Sequence, residues 1–251
     1  MNKYTKLIFV TCLSAPLFAI AQTTIFEHDF DGLSNVQLGG QTTDTGSVSW
    51  QNTTTGNTSS FRADGSVMND PKNTNSGIWL PVTIEQGKIY TLSADVDLTS
   101  TSDWISLGYA EYRSDNAFYG SGGYGTAIVK ANWVETYTGS NANGQQTAFT
   151  GAGTGVHELK IVLDATAANT SLWTMEFFSY DVSVVSPVYA DSGDYANINY
   201  IGFTKQSNAT GTIDNFKFSV TPLPETSQYG LIAAVIAALV VCSRRRYREP
   251  S

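Results

Sequence analysis

Tyr90-Thr91-Leu92-Ser93-Ala94-Asp95-Val96-Asp97-Leu98 alternates apolar and polar residues without a break. Successive side chains of a strand point to opposite faces, so this period of two buries Tyr90, Leu92, Ala94, Val96 and Leu98 and leaves Thr91, Ser93, Asp95 and Asp97 wet. The signal recurs. Leu159, Ile161 and Leu163 alternate with Glu158, Lys160 and Asp164; Trp173, Met175 and Phe177 with Thr174 and Glu176; Phe216, Phe218 and Val220 with Lys217 and Ser219. Nowhere in the body is there a sustained helical spacing, and clusters of Gly, Asn, Ser, Thr and Asp at 53–60, 115–125 and 139–155 separate the strands. The pattern predicts an all-β fold, a single antiparallel sandwich with long loops on its rims. No fixed repeat period is visible, which sets aside propellers and solenoids.

Both ends of the chain read as targeting segments. Lys3 and Lys6 precede an apolar stretch, residues 7–21, that closes on Ala19-Ile20-Ala21. This predicts a secretory signal peptide, residues 1–21, cut before Gln22. Pro16 and the shortness of the stretch argue against an uncut anchor, and Cys12 lacks the small residues that precede a lipidated cysteine. At the other end, residues 221–226 form a short, stiff, proline-containing connector. Thr226 to Ser243 then holds 18 uncharged residues before Arg244, Arg245, Arg246 and Arg248. At about 1.5 Å per helical residue that run spans roughly 27 Å, enough for a bilayer core, and the arginines act as a stop-transfer signal on the cytoplasmic side. Residues 227–251 are thus predicted as a membrane helix with a basic tail, holding the domain close to the membrane until the tail is processed.

Residues 22–220 lie between these segments and are long enough for one domain with a substantial core. Both cysteines of the chain, Cys12 and Cys242, fall outside them, so thiol catalysis and cysteine metal sites are excluded from the body. Lys3, Lys6, four tail arginines, Glu225 and Glu249 also lie outside, which leaves the body 20 of the chain's 22 acidic residues and 8 of its 14 basic ones. A surface this negative repels phosphate backbones, so nucleic acid is not an expected partner.

Pro224-Glu225-Thr226, the apolar run and the arginine cluster resemble the PEP-CTERM sorting signal of Gram-negative bacteria that make extracellular polysaccharide. The resemblance implies an exosortase, a membrane-embedded cysteine protease, as processing partner, and a final location at the cell surface or outside the cell. Thr226 stands where the second proline of that motif is expected. Leu223-Pro224-Glu225-Thr226 also matches the Leu-Pro-x-Thr-Gly signal of Gram-positive sortases, with Ser227 in place of the glycine. A plain tail anchor is the third reading.

The body carries a second resemblance. Ile25-Phe26-Glu27-His28-Asp29-Phe30-Asp31-Gly32, Gly87 to Val96, and Thr212-Ile213-Asp214-Asn215-Phe216-Lys217-Phe218 are similar to jelly-roll carbohydrate-binding modules and laminin G-like sandwiches. It implies that the first and last strands are neighbours and that carboxylates from both hold a structural calcium. Asp214 shares the phase of Phe216 and Phe218, so a strand running through it would turn its carboxylate inward, where it needs a donor or a metal. Glu27 is the second candidate ligand, although alternation places it outward. An Asx turn at Asp214-Asn215 is the alternative.

The candidate ligand surface is an aromatic-dense stretch: Trp104, Tyr109, Tyr112, Phe118, Tyr119, Tyr124, Trp133 and Tyr137. Sugar rings stack on aromatic faces, yet aromatics also fill sandwich cores. Tyr119 and Tyr124, in the glycine-rich loop Tyr119 to Gly125, and Trp133 are the expected ligand contacts. That loop lacks the lysine and the strand–helix setting of a phosphate cradle. His28 and His157 accompany no hydrolase elbow and no zinc-binding helix motif, so no catalytic residue is assigned. Glycoside hydrolysis needs two carboxylates about 5–10 Å apart. Glu111 and Glu176, each expected on a strand, are the pair to test for a glycoside hydrolase or lyase. Three functions therefore stand: a non-catalytic glycan-binding surface module, a structural matrix protein without a specific ligand, and a hydrolase or lyase.

Overall fold

The computed structural model describes residues 21–52, 61–69, 76–100, 102–114, 117–118, 124–130, 133–138, 145–148, 155–189, 195–206 and 209–223. The signal peptide, Tyr119, the sorting motif Pro224-Glu225-Thr226 and the arginines Arg244, Arg245 and Arg246 lie outside the described residues. Strands are numbered in chain order. The first eight are β1 (Thr23–His28), β2 (Val36–Gln37), β3 (Gln51–Asn52), β4 (Phe61–Ala63), β5 (Val67–Asn69), β6 (Ser76–Pro81), β7 (Lys88–Leu98) and β8 (Trp104–Ala110). They are followed by β9 (Gly125–Lys130), β10 (Trp133–Tyr137), β11 (Gln145–Ala148), β12 (Gly155–Asp164), β13 (Thr174–Ser179), β14 (Val182–Tyr189), β15 (Tyr200–Lys205) and β16 (Thr212–Pro222). The helical elements among the described residues are two short 3-10 turns, Thr170–Leu172 and Tyr195–Asn197. No helix among them is long and apolar enough to cross a membrane.

Two antiparallel sheets pack face to face, as the alternation requires. One runs β14-β13-β12-β7-β16-β5-β4-β2, with β1 also paired to β16; the other runs β11-β10-β9-β8-β15-β6-β3. The period-two segments found in the sequence are the central strands of the first sheet. On β7 and β12 every second residue is buried, with Leu92 opposite Ile161 and Leu159 opposite Ala94. First and last strands are neighbours, with Phe26 opposite Phe218 and His28 opposite Phe216.

The core between the sheets is rich in rings. Trp50 lies edge-on to Phe216 and Phe203 at centroid distances of 4.8 and 5.4 Å, and Phe61 meets Phe203 at 5.0 Å. Edge-to-face contacts of this kind add to the large apolar area each ring buries. At Gly125 the sheets approach so closely that a Cβ would collide with Met175 of the opposite sheet.

Strand directions define two poles. At the first, β16 ends opposite the start of β7 (Pro222 with Lys88), β12 ends at Asp164 opposite Thr174, and β14 ends at Tyr189 opposite the same Thr174. The other sheet brings the end of β8 and the starts of β9 and β15 to this pole, with Gly125 opposite Tyr109 and Tyr200 opposite Ala110. The second pole holds the Tyr180-Asp181 turn, whose positive φ values of 50° and 60° link β13 to β14.

The expected inward turn of Asp214 does not occur. Asp214 pairs with Asp95 and Lys217 with Ser93, so β16 uses three steps where β7 uses two. Asn215, at φ 49°, takes up the extra residue as a β-bulge and shifts the phase. Ile213, Phe216 and Phe218 are buried, whereas Asp214 shares the outward face of Asp95.

Candidate functional site

The rim at the first pole is built where three chain segments leave the seven-stranded sheet. β8 ends at Ala110 and the chain bends at Glu111; a backbone bond of 3.0 Å from Asn199 to the Ala110 carbonyl holds the approach to β15 beside it. The Tyr124 backbone N–H bonds the Tyr109 carbonyl at 2.9 Å, which leads Tyr124 into β9. Its hydroxyl donates to Glu111 Oε2 at 2.7 Å. Partial burial, with the Glu111 carboxylate beside it, pushes that hydroxyl above its ordinary range, so it stays a donor. Asn199 Nδ2 donates to the Glu111 backbone carbonyl at 3.1 Å and to that of Asn197 at 3.0 Å.

Tyr200 packs from above on a small apolar cluster, Trp79, Ala110, Ala117 and Phe118, on the outward side of this sheet. The Arg113 guanidinium lies 5.9 Å over the Tyr200 ring, and its Nη1 donates to Gln51 Oε1 at 3.4 Å. Tyr112 projects freely, 52 % exposed. This end of the seven-stranded sheet therefore carries Tyr112, Tyr124 and Tyr200 at graded exposure, Tyr124 packed against the core between the sheets and Tyr200 on the outward cluster, with a carboxylate, a guanidinium and side-chain amides beside them. Flat apolar faces edged by fixed donors and acceptors suit a ligand that has C–H faces and hydroxyl edges.

The candidate residues from the sequence fall in different places. Tyr124 is in the rim, and Tyr119 lies outside the described residues. Trp133 starts β10 opposite Lys130 and Ala148, at the far end of β9, which at about 3.3 Å per residue is roughly 20 Å from Tyr124. Tyr124 and Trp133 are therefore not brought into one compact site. Tyr109 is a core residue, fully buried, and burial holds its hydroxyl well above the usual range. Tyr137 donates to Glu135 Oε1 at 2.8 Å, and Glu135 also ion-pairs with Lys130.

The two carboxylates considered for hydrolysis do not face one another. Glu111 sits on a bend just past β8 and not on a strand. Glu176 is on β13 of the other sheet, between the buried Met175 and Phe177, so it points outward and accepts from Ser183 Oγ at 2.8 Å. His157 is buried against Tyr180 and serves as a packed strand residue.

The calcium pair is likewise apart. Glu27 stands opposite Lys217 and accepts from its ammonium at 3.4 Å, beyond the bulge from Asp214. Asp214 accepts from the Asn215 backbone N–H at 2.7 Å, one residue short of the i+2 bond of an Asx turn, and lies in a row with Asp95 and Glu158 across three strands. Burial first, then the charges of Asp31, Asp95 and Asp29, raises its pKa. Among the described residues no three His, Cys, Asp or Glu side chains form a metal-ligand group, and the structure does not bring Asp214 and Glu27 together.

Sequence reading missed Arg113, Asn199 and Tyr200 as residues of the rim end of the seven-stranded sheet. Tyr200 is remote in sequence, and only the pairing of β15 with β8 brings it there.

No family model and no curated protein matches the chain. Solved structures similar to it include a carbohydrate-binding module, CBM66, from Bacillus subtilis, at 15 % identity and TM-score 0.41, covering 67 % of this chain and 94 % of that one. The potassium-bound Emp46p carbohydrate recognition domain aligns at 9 % identity and TM-score 0.44, covering 69 % and 87 %. A mutant of the alginate lyase Aly36B, in complex with alginate trisaccharide, aligns at 11 % identity and TM-score 0.43, covering 80 % and 100 %. These likenesses concern the course of the backbone.

Proposed function

We propose that the chain is an exported, non-catalytic sandwich of jelly-roll type that binds extracellular polysaccharide at the tyrosine rim, and that an exosortase-type protease removes its tail. The observation that carries the binding reading is the rim itself: Tyr112 exposed, Tyr124 and Tyr200 half-buried, with Glu111 bonded to the Tyr124 hydroxyl, Asn199 to the Glu111 carbonyl and Arg113 over the Tyr200 ring. A sugar would lay its C–H face on a tyrosine ring and give its hydroxyls to the carboxylate and amides. The separation of Glu111 from Glu176 supports binding without cleavage. The export reading is supported by the two terminal segments of the sequence.

The test is retention of the chain on immobilised polysaccharide from its host, with Tyr112→Ala combined with Tyr124→Ala. Retention should fall at least about tenfold, as expected when stacking contacts of roughly 1–1.5 kcal/mol each are lost. Tyr112→Ala alone should leave the thermal midpoint nearly unchanged, because Tyr112 is exposed, whereas Tyr124→Ala should lower it, because Tyr124 also packs against the core; retention is therefore compared well below either midpoint. Unchanged retention would remove the rim as the site. No retention of the wild-type chain by any glycan on an array would favour the structural matrix protein. Release of reducing or unsaturated sugar would favour the enzyme, with Glu111 first to be replaced.

A further inference from the structure

The rim and the exit of the tail share one pole. β16 stays paired through Pro222, opposite Lys88, and the Leu223 backbone N–H still reaches the Gly87 carbonyl at 3.4 Å. The chain is thus held to the fold up to Leu223, and the 18-residue uncharged run begins three residues later, at Thr226. Three residues span at most about 10 Å fully extended. With the run in a bilayer, the first pole has to lie against the membrane surface.

The side chains at that pole suit such a surface. Tyr112 and Tyr189 are 52 % and 57 % exposed, Leu172 54 % and Leu223 44 %. Tyrosine, with an apolar ring and a polar tip, fits the headgroup level of a bilayer. At the opposite pole, across the length of β7 and β12, Val156 and Tyr180 are each 53 % exposed and Val182 66 %, so it is the tail's exit, and not apolar exposure alone, that singles out the first pole.

We propose that the first pole faces the membrane while the tail is inserted, so that ligand binding at the tyrosine rim begins only once the tail is removed or the domain is otherwise lifted. The proposal rests on the glycan-binding reading of the rim and on the membrane reading of the tail. Processing would then act as a switch as well as an address: the protein stays inactive at the membrane and becomes adhesive where it is released.

The test uses the full chain, without its signal peptide, in lipid nanodiscs, carrying a protease site between Leu223 and Pro224. Tyrosine nitration mapped by mass spectrometry reports the pole, and retention on the host's purified exopolysaccharide reports the rim. Before cleavage Tyr112 and Tyr189 should react severalfold more slowly than after it, while Tyr180 reacts equally in both states; retention should appear only after cleavage. A variant with about 30 Gly and Ser residues inserted after Leu223, whose mean span is roughly 30 Å, should show fast nitration and retention without cleavage. Equal reactivity of Tyr112 and Tyr189 before and after cleavage overturns the proposal, as does full retention by the uncleaved chain with its natural connector. A tail that fails to hold the chain on the disc overturns it too. A nitration change without retention by the cleaved chain overturns the glycan reading and supports the orientation of the pole.

Discussion

At the scale of single residues, the buried titratable groups set how stability depends on pH. His28 is 2 % exposed; its Nδ1 accepts the Trp50 indole N–H at 2.8 Å, and its Nε2 lies 3.9 Å from Asp44. Burial lowers its pKa below 6.5, against the opposing pull of Asp44 and Asp29. A second proton would have to go on Nδ1, the atom that holds the indole. Below about pH 6.5 the unfolded chain therefore binds a proton that the folded chain resists, so stability should fall as pH drops through that value and be unaffected by His28 above it. Urea titrations from pH 7.5 to 5, followed by tryptophan fluorescence, should show a shallower loss for His28→Gln. An unchanged slope would show that His28 does not couple to folding. Lys205 is a second case of the same sign at higher pH. It is 1 % exposed, its ammonium caps the Gly211 carbonyl, and burial lowers its pKa to about 7 although Asp103 pulls the other way. Between about pH 7 and 10.5 the unfolded chain binds more protons at this site, so stability should rise with pH there. In Lys205→Met that rise should disappear from the denaturation midpoints.

At the scale of elements, the bulge on β16 decides where its carboxylate goes. Asn215 holds φ 49°, and its amide donates to Asp95 Oδ2 at 2.9 Å. A β-branched residue is strained in that conformation, so Asn215→Val should cost roughly 1–3 kcal/mol in chemical denaturation, and Asn215→Gly clearly less. Equal losses would mean that the side-chain bond, not the backbone, matters at this position. The alternation on β7, β12 and β13 was plain in the sequence because each of these strands has one core face and one solvent face. The bulge was hidden because one extra residue leaves the same letters in place while reversing the face of everything before it. Asp214 looked inward for that reason alone. The second sheet was harder to read: β8 is buried on both faces, as Trp104-Ile105-Ser106-Leu107-Gly108-Tyr109-Ala110, so its pattern does not alternate.

At the scale of the whole molecule, residues 22–223 should fold as one unit, since the core runs from Phe26 to Phe218 and joins strands from both ends of the body. Their circular dichroism should be strand-dominated, with a single cooperative thermal transition. A helix content above about one fifth, when average domains hold roughly 30 %, or two separate transitions, would contradict this. Period-two hydrophobicity, the absence of cysteine from the body and the two terminal segments were enough for the all-β class, the acidic surface and the expected route of export, because each follows from local composition or spacing. What composition and spacing do not carry is which residues meet. Tyr124 met Glu111, Asn199 met the Glu111 carbonyl and Arg113 met Tyr200, while Trp133 fell far from Tyr124, through the pairing of strands distant in the chain. Rim and tail exit share a pole for the same reason: antiparallel register sets strand direction, and direction sets which loops lie together. That information resides in tertiary pairing, since only burial of the two apolar faces against each other selects one register among many of similar local pattern.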